Sequence, residues 1–182
     1  MEKPLNINKG HHPDRKDLPG EHRWGDAGQL ILLIIFMIIW ILDSFVYNLT
    51  TYPADHIPHW IRIGAGGLSL IIAFLLAMTG LRIVFGEIRE IPAVIEKSVF
   101  GMMRHPIYLG AILLFTGLFL LTLSLASGAV LLIILIFYHL IARYEERILI
   151  HTFGDAYRAY MSRVPMWLPK IRRRKPCHQK PK

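Results

Sequence analysis

Two short stretches of this chain hold residue types able to do chemistry. Arg104-His105-Pro106-Ile107-Tyr108 sets a cation, an imidazole, a ring-fixed backbone and a phenol side by side at the mouth of an apolar segment. Proline tolerates the first turn of a helix, so Pro106 reads as a helix start whose neighbouring backbone groups are free to bind something polar. The second stretch, Arg143-Tyr144-Glu145-Glu146-Arg147, follows the next apolar run and places two carboxylates between cations. Adjacent helical carboxylates point in different directions, so at most one of them is expected to face a site shared with His105. Taken singly, the first stretch also reads as an interfacial Arg and Tyr anchor, and the second as a solvated helix face.

What must position these groups is a membrane fold. Of the 182 residues, 53% are apolar and 19% charged, which excludes a disordered chain, and the concentration of the apolar residues in runs excludes an ordinary soluble globule. The polar residues 1–28 hold no signal-peptide pattern, so the first apolar run is expected to be retained. That run, Ala27 to Tyr47, has 21 positions and matches a bilayer core of roughly 30 Å. Asp43 then falls near the far interface. A second run extends from Trp60 to about Phe85, with Gly64, Gly66 and Gly67 where another helix could come close. From Ile107 to Ala142 there are 36 residues without Asp, Glu, Lys or Arg. As one helix they would be about 54 Å long, so the chain must fold back. The expected turn is Ser124 to Gly128, with short arms of about 16 and 14 residues forming a tight hairpin. A hairpin returns its second arm to the face it left, which brings Glu145 near His105 and Tyr108. The fold class is therefore all-α integral membrane, with about four transmembrane helices and a C-terminal helical segment on the cytoplasmic side.

Charge sets the orientation. Lys and Arg number 5 in residues 1–28, 1 between the first two runs, 4 from Arg82 to Arg104, none in the hairpin turn and 11 from Arg143 onward. The positive-inside rule places both termini and the 82–106 connection in the cytoplasm, in a multi-pass membrane protein. The whole net excess of +8 lies after Arg143, on a tail expected to meet anionic lipid. The organisation reads as a polar segment 1–28, two helices in 29–85, a region 86–170 holding the chemistry, and a basic tail 171–182. The lone Cys177 forms no internal disulfide and is not fourth from the end, as a prenylation box requires. His11-His12 and His56-x-x-His59 lack further ligands nearby, so no metal is expected, and the basic run Arg172 to Lys175 behind a membrane helix reads as a lipid contact, not a nucleic-acid one.

RHPIYLG, an uncharged stretch, and then YEERILIHTFGDAYRAYMSRVPMWLP together resemble the isoprenylcysteine carboxyl methyltransferase and phospholipid methyltransferase superfamily of membrane enzymes, over about residues 90–170. The resemblance rests on the combination of RHPxY, a paired glutamate some 37 residues on, FGxxYxxY and a VPxxLP close. It implies an S-adenosylmethionine-dependent methyltransferase. By position, Pro92, Ala93, Val94, Ile95 and Phe100 would line the cofactor, with Arg104, His105, Pro106, Ile107 and Tyr108 contacting it and Glu145 holding its polar end. His105 and Glu145 are the catalytic candidates, as groups able to take a proton from an acceptor that carries one. Arg143, Arg147 and His139 are candidates for the acceptor, a lipophilic or small molecule entering from the bilayer: a prenylcysteine carboxylate, a thiol or a lipid amine. Two departures stand out. The family's Gly-x-Tyr ahead of RHP is Ser98-Val99-Phe100 here, and an arginine that prenyl-protein methyltransferases carry one turn before the glutamate is Ile141. The second departure argues against a prenylcysteine acceptor. Two other readings are an NADPH-dependent membrane reductase akin to the longer sterol reductases, for which no basic cluster flanks RHPxY, and a non-catalytic membrane scaffold. Neither the acceptor's identity nor the oligomeric state is written in the sequence.

Overall fold

A computed structural model describes residues 23–86 and 94–168, and every regular element among them is helical. The N-terminal segment up to residue 22, Pro92 and Ala93, and the basic tail with Cys177 lie outside the described residues. Helix α1 spans Arg23–Ile41 and runs into a π-helical turn, Leu42–Tyr47, that ends on Asn48 in the left-handed region (φ 51°). A 3-10 segment, Tyr52–His56, leads to α2, His59–Gly86. The connection to α3 contains a second 3-10 turn, Ser98–Gly101. Helix α3 spans Pro106–Thr122, α4 Leu125–Phe153 and α5 Asp155–Arg163. Ala27–Tyr47, His59–Val84 and α4 are long and apolar enough to cross a membrane, whereas α3 is apolar but has only 17 residues.

The break between α3 and α4 differs in place from the expected Ser124–Gly128. It takes only Leu123 and Ser124. Leu123 adopts a left-handed conformation (φ 50°) and its N–H bonds to the Phe119 carbonyl at 2.7 Å, closing α3. Ser124 then caps α4: its hydroxyl accepts the N–H of Ser127, whose own hydroxyl donates to the Ser124 carbonyl. Gly128 is thus inside α4, where its bare Cα lets the Phe119 ring approach to within 2.9 Å of where a Cβ would stand. Further along, Tyr108 of α3 meets Tyr138 of α4 with ring centres 5.4 Å apart.

The expected short second arm is also corrected. Helix α4 does not stop near Ala142 but runs on to Phe153, 29 residues and about 43 Å in all. No glycine or proline interrupts Ala129 to Phe153, and Arg, Glu, Leu and Ile sustain the helix until Gly154 (φ 56°) ends it. The paired glutamates are therefore carried on the same rigid rod as the apolar segment.

Helices α1, α3 and α4 share a core of Phe36, Phe115, Val130, Leu131, Ile134 and Tyr138. Helix α2 packs on α3 through small residues. Gly66 and Gly117 face each other, Gly110 lies on the backbone of Ala73 and Ala77, and the Ser69 hydroxyl donates to the Leu113 carbonyl at 2.8 Å. Of the three glycines expected at a close approach, Gly66 is at one, while nothing lies within 4 Å of a Cβ at Gly64 or Gly67. Large apolar side chains such as Ile63, Leu68, Ile71 and Phe74 are exposed along α2, as lipid-facing residues are.

The end of the bundle remote from His105 is tied by polar groups. Asp43, buried in the π-helical turn after α1, accepts the N–H of Thr50 at 3.1 Å and the hydroxyls of Thr50 and Ser124, each at 2.5 Å. Trp40 donates its indole N–H to Thr122 and the Leu118 carbonyl, and Arg62 donates to the Leu121 carbonyl at the negative end of α3. His59 sits against Arg62, and His56 faces the Tyr52 carbonyl.

Candidate functional site

At the opposite end the start of α3, the outer part of α4 and the segment after α5 converge. His105 precedes Pro106 as the residue before the first turn of α3, and its carbonyl accepts the Leu109 N–H at 3.0 Å. Its own N–H reaches the Met166 carbonyl at 3.4 Å, while the Arg104 N–H donates to the Pro165 carbonyl at 3.0 Å. The backbone beside the helix start is therefore engaged by the VPMW segment, which brings Trp167 over the site. Its ring centre is 5.9 Å from that of His105 and 6.4 Å from that of His139.

The His105 ring is buried and stands between the two glutamates. Nε2 is 3.3 Å from Glu146 Oε1, and Nδ1 is 3.8 Å from Glu145 Oε2. The expectation that only one carboxylate could face His105 is corrected here. Side chains of neighbouring helical residues diverge by about 100°, but the ring lies between the two directions and presents one nitrogen to each. The Tyr108 hydroxyl donates to the other oxygen of Glu145, and its ring lies parallel to the imidazole with centres 5.6 Å apart. Glu146, with a side chain only 5% exposed, is the residue that sequence reasoning passed over. Its signal was available, because Tyr138, Ala142 and Glu146 recur at four-residue spacing and all three are buried along α4.

Arg104 Nη1 comes within 3.2 Å of Glu146 Oε1, close enough for an ion pair, yet neither Nη1 nor Nε makes a hydrogen bond among the described residues. Burial of guanidinium N–H groups in this state is costly unless a further acceptor is at hand. Glu145, at 20% exposure, is the more accessible carboxylate. Pro106 is buried, and Ile107 and Tyr108 are half-buried. Ile107 packs on Gly80 of α2.

The connecting loop is clamped by α5. Tyr160 donates to the Phe100 carbonyl at 2.6 Å, Arg163 pairs with Glu96 at 2.9 Å, and Val94 packs on the buried Tyr157, Tyr160 and Val164. Burial pushes the phenols of Tyr157 and Tyr160 well above the usual tyrosine range; for both, Glu146 reinforces the shift and Arg104 opposes it. Val94, Ile95 and Phe100 are half-buried on this loop. Ser98, in the family's glycine position, has φ of 53°, a left-handed conformation in which glycine carries no Cβ penalty. His139, Arg143 and Arg147 recur at four-residue spacing on an exposed stripe of α4, where the His139 ring is turned to Trp167.

Residues 62–156, just over half of the chain, match the family model described as phospholipid methyltransferase. The chain belongs to that family. The matched region takes in α2 from Arg62 on, α3, α4 and the residues Arg104, His105, Tyr108, Glu145 and Glu146. A curated relative, methanethiol S-methyltransferase 2 of Bradyrhizobium diazoefficiens strain USDA 110, is 30% identical over 158 residues, covering 78% of this chain and 56% of the relative. The chain thus spans about half the length of the relative that it matches. No solved structure matches it. Kinship with the phospholipid methyltransferase family agrees with a multi-pass membrane fold built on the three long apolar helices.

Proposed function

We propose that this chain is an integral-membrane methyltransferase that moves a methyl group from S-adenosylmethionine to a small, membrane-partitioned acceptor, with a thiol as the favoured class. The observation that carries the reading is the convergence of Arg104-His105-Pro106-Ile107-Tyr108 with Glu145 and Glu146 at one end of the bundle, inside the region that matches the family. The relative named for methanethiol supports the thiol, and Ile141, which offers no charge to an acceptor carboxylate, agrees with it.

The donor set suits the cofactor. S-adenosylmethionine carries a sulfonium, an ammonium and a carboxylate, and when bound it supplies the electrophilic methyl. Glu145, accessible and oriented by Tyr108, would hold a positive group, and the Arg104 guanidinium, whose Nε has no hydrogen-bond partner among the described residues, would hold the carboxylate. The Trp167 and Tyr108 rings offer faces that attract a cation. With those charges met, the protein's remaining work is to orient the acceptor and keep water out, which the apolar faces of α3 and α4 do. In this reading α3 and α4 form a hairpin, completing four membrane segments, both termini are cytoplasmic, and the basic tail rests on anionic lipid. The acceptor enters sideways from the bilayer.

The test is transfer of labelled methyl from S-adenosylmethionine to a total lipid and small-thiol extract, with identification of the product. A labelled thioether is expected. Lack of saturable S-adenosylhomocysteine binding by the purified protein in calorimetry would sink the proposal.

A further inference from the structure

We infer that Glu146 is a positioning residue that fixes His105 as the tautomer protonated on Nε2, so that Nδ1 takes the proton from the acceptor thiol. This rests on the thiol reading above and adds a role for a residue it did not use. The geometry is asymmetric in a way that matters. Nε2 is 3.3 Å from Glu146, within reach of a hydrogen bond, whereas Nδ1 is 3.8 Å from Glu145, beyond it. A neutral imidazole has one N–H and one lone pair. The N–H belongs on the side with the bonded carboxylate, leaving the Nδ1 lone pair directed toward Glu145, the more accessible of the two glutamates. The Tyr108 hydroxyl already donates to Glu145, which keeps that carboxylate turned toward Nδ1. The parallel Tyr108 ring and the tilted Trp167 ring hold the imidazole plane, and Arg104 offsets the charge of Glu146.

The proton step balances. The acceptor's S–H bond breaks, its proton forms an N–H bond at Nδ1, and the electron pair stays on sulfur as the nucleophile. The imidazolium then stands between two carboxylates and later gives its proton to water. An alkyl thiol is mostly protonated at neutral pH and needs this step; an acidic aryl thiol is already largely ionised and does not.

The first experiment uses the whole protein in detergent, with no cofactor or acceptor, and reads histidine nitrogen resonances after 15N labelling, His105→Gln serving to assign the signal. The wild type should show Nε2 protonated, and Glu146→Gln a mixture of tautomers. Nδ1 protonated in the wild type, or an unchanged tautomer in the variant, would overturn the inference. The second experiment compares an alkyl and an acidic aryl thiol as acceptors. Glu146→Gln should lower kcat about 10- to 100-fold for the alkyl thiol, with far less loss for the aryl thiol. Equal losses on both thiols would assign Glu146 a merely structural role and refute the inference. If the wild type methylates neither thiol, the acceptor reading fails, and this is distinct from failure of the positioning role because the tautomer is read without substrate.

Discussion

Substituting Gly110 by Ala tests whether the α2–α3 contact places His105, with Gly67→Ala as its internal control. A Cβ at Gly110 would stand 3.1 Å from the Ala73 carbonyl oxygen and 3.3 Å from the Ala77 nitrogen, while at Gly67 nothing lies within 4 Å. The atoms met at Gly110 include backbone of another helix, which cannot rotate aside as a side-chain tip can. Helices α2 and α3 must instead separate by a few tenths of an ångström, at an overpacking cost of about 1–3 kcal/mol. The intrinsic preference of a helix for Ala over Gly returns up to about 1 kcal/mol at both sites. Gly110→Ala is therefore expected to be less stable than Gly67→Ala by about 1–3 kcal/mol. The same shift moves the start of α3, one turn away, and stretches a His105–Glu146 contact that is already 3.3 Å long. Binding of S-adenosylhomocysteine should weaken with it. The assay is equilibrium unfolding in mixed micelles titrated with a denaturing detergent, paired with calorimetry. Equal stability of the two variants would refute the packing argument.

Tyr108→Phe keeps the ring stacked on His105 and removes the hydroxyl that holds Glu145. Loss of one hydrogen bond to a charged group, about 1.5–3 kcal/mol, should weaken S-adenosylhomocysteine binding by roughly 10- to 100-fold in calorimetry, and an affinity within twofold of wild type would contradict the role given to Tyr108. Asp43→Ala strands three donors, two on half-buried Thr50 and one on buried Ser124; stability to detergent should fall by about 2–3 kcal/mol, while S-adenosylhomocysteine affinity, which the proposed site at the other end of the bundle would set, should stay as it is. Tyr157 and Tyr160 titrate above their ordinary value of 10.0 because they are buried. Below pH 10 both states keep these protons and the full stability is present. Above it the unfolded chain ionises while the fold holds its protons, so stability is lost as pH rises toward the raised folded values. Tyrosinate absorbance during alkaline unfolding should show this loss, with a shallower fall in Tyr160→Phe.

Much of the architecture was legible because lipid makes simple demands. The run Ala27 to Tyr47 and the uncharged stretch after Ile107 declare themselves by length and hydropathy alone. RHPIY and the paired glutamates declared themselves by residue type. The position of the α3–α4 turn was not legible, because Ser124 and Gly128 both carry turn signals and only packing chose between them. The Phe119 ring uses the bare Gly128 as a seat, and a leucine takes the left-handed conformation instead. Nor was the length of α4 legible from hydropathy, which ends at Ala142, since the charged residues that follow are themselves good helix formers.

The sequence by itself determined that this is a membrane protein of several helices, with its ionisable chemistry gathered at the ends of the apolar run that follows Ile107. Composition and run length are properties of one dimension, and a bilayer reads them directly. Which carboxylate meets which nitrogen of His105 was decided only by tertiary structure. That pairing depends on the rotation of α4 about its axis, which burial of Tyr138, Ala142 and Glu146 sets. It depends also on the backbone bonds from Arg104 and His105 to Pro165 and Met166, which join segments some 60 residues apart in the chain.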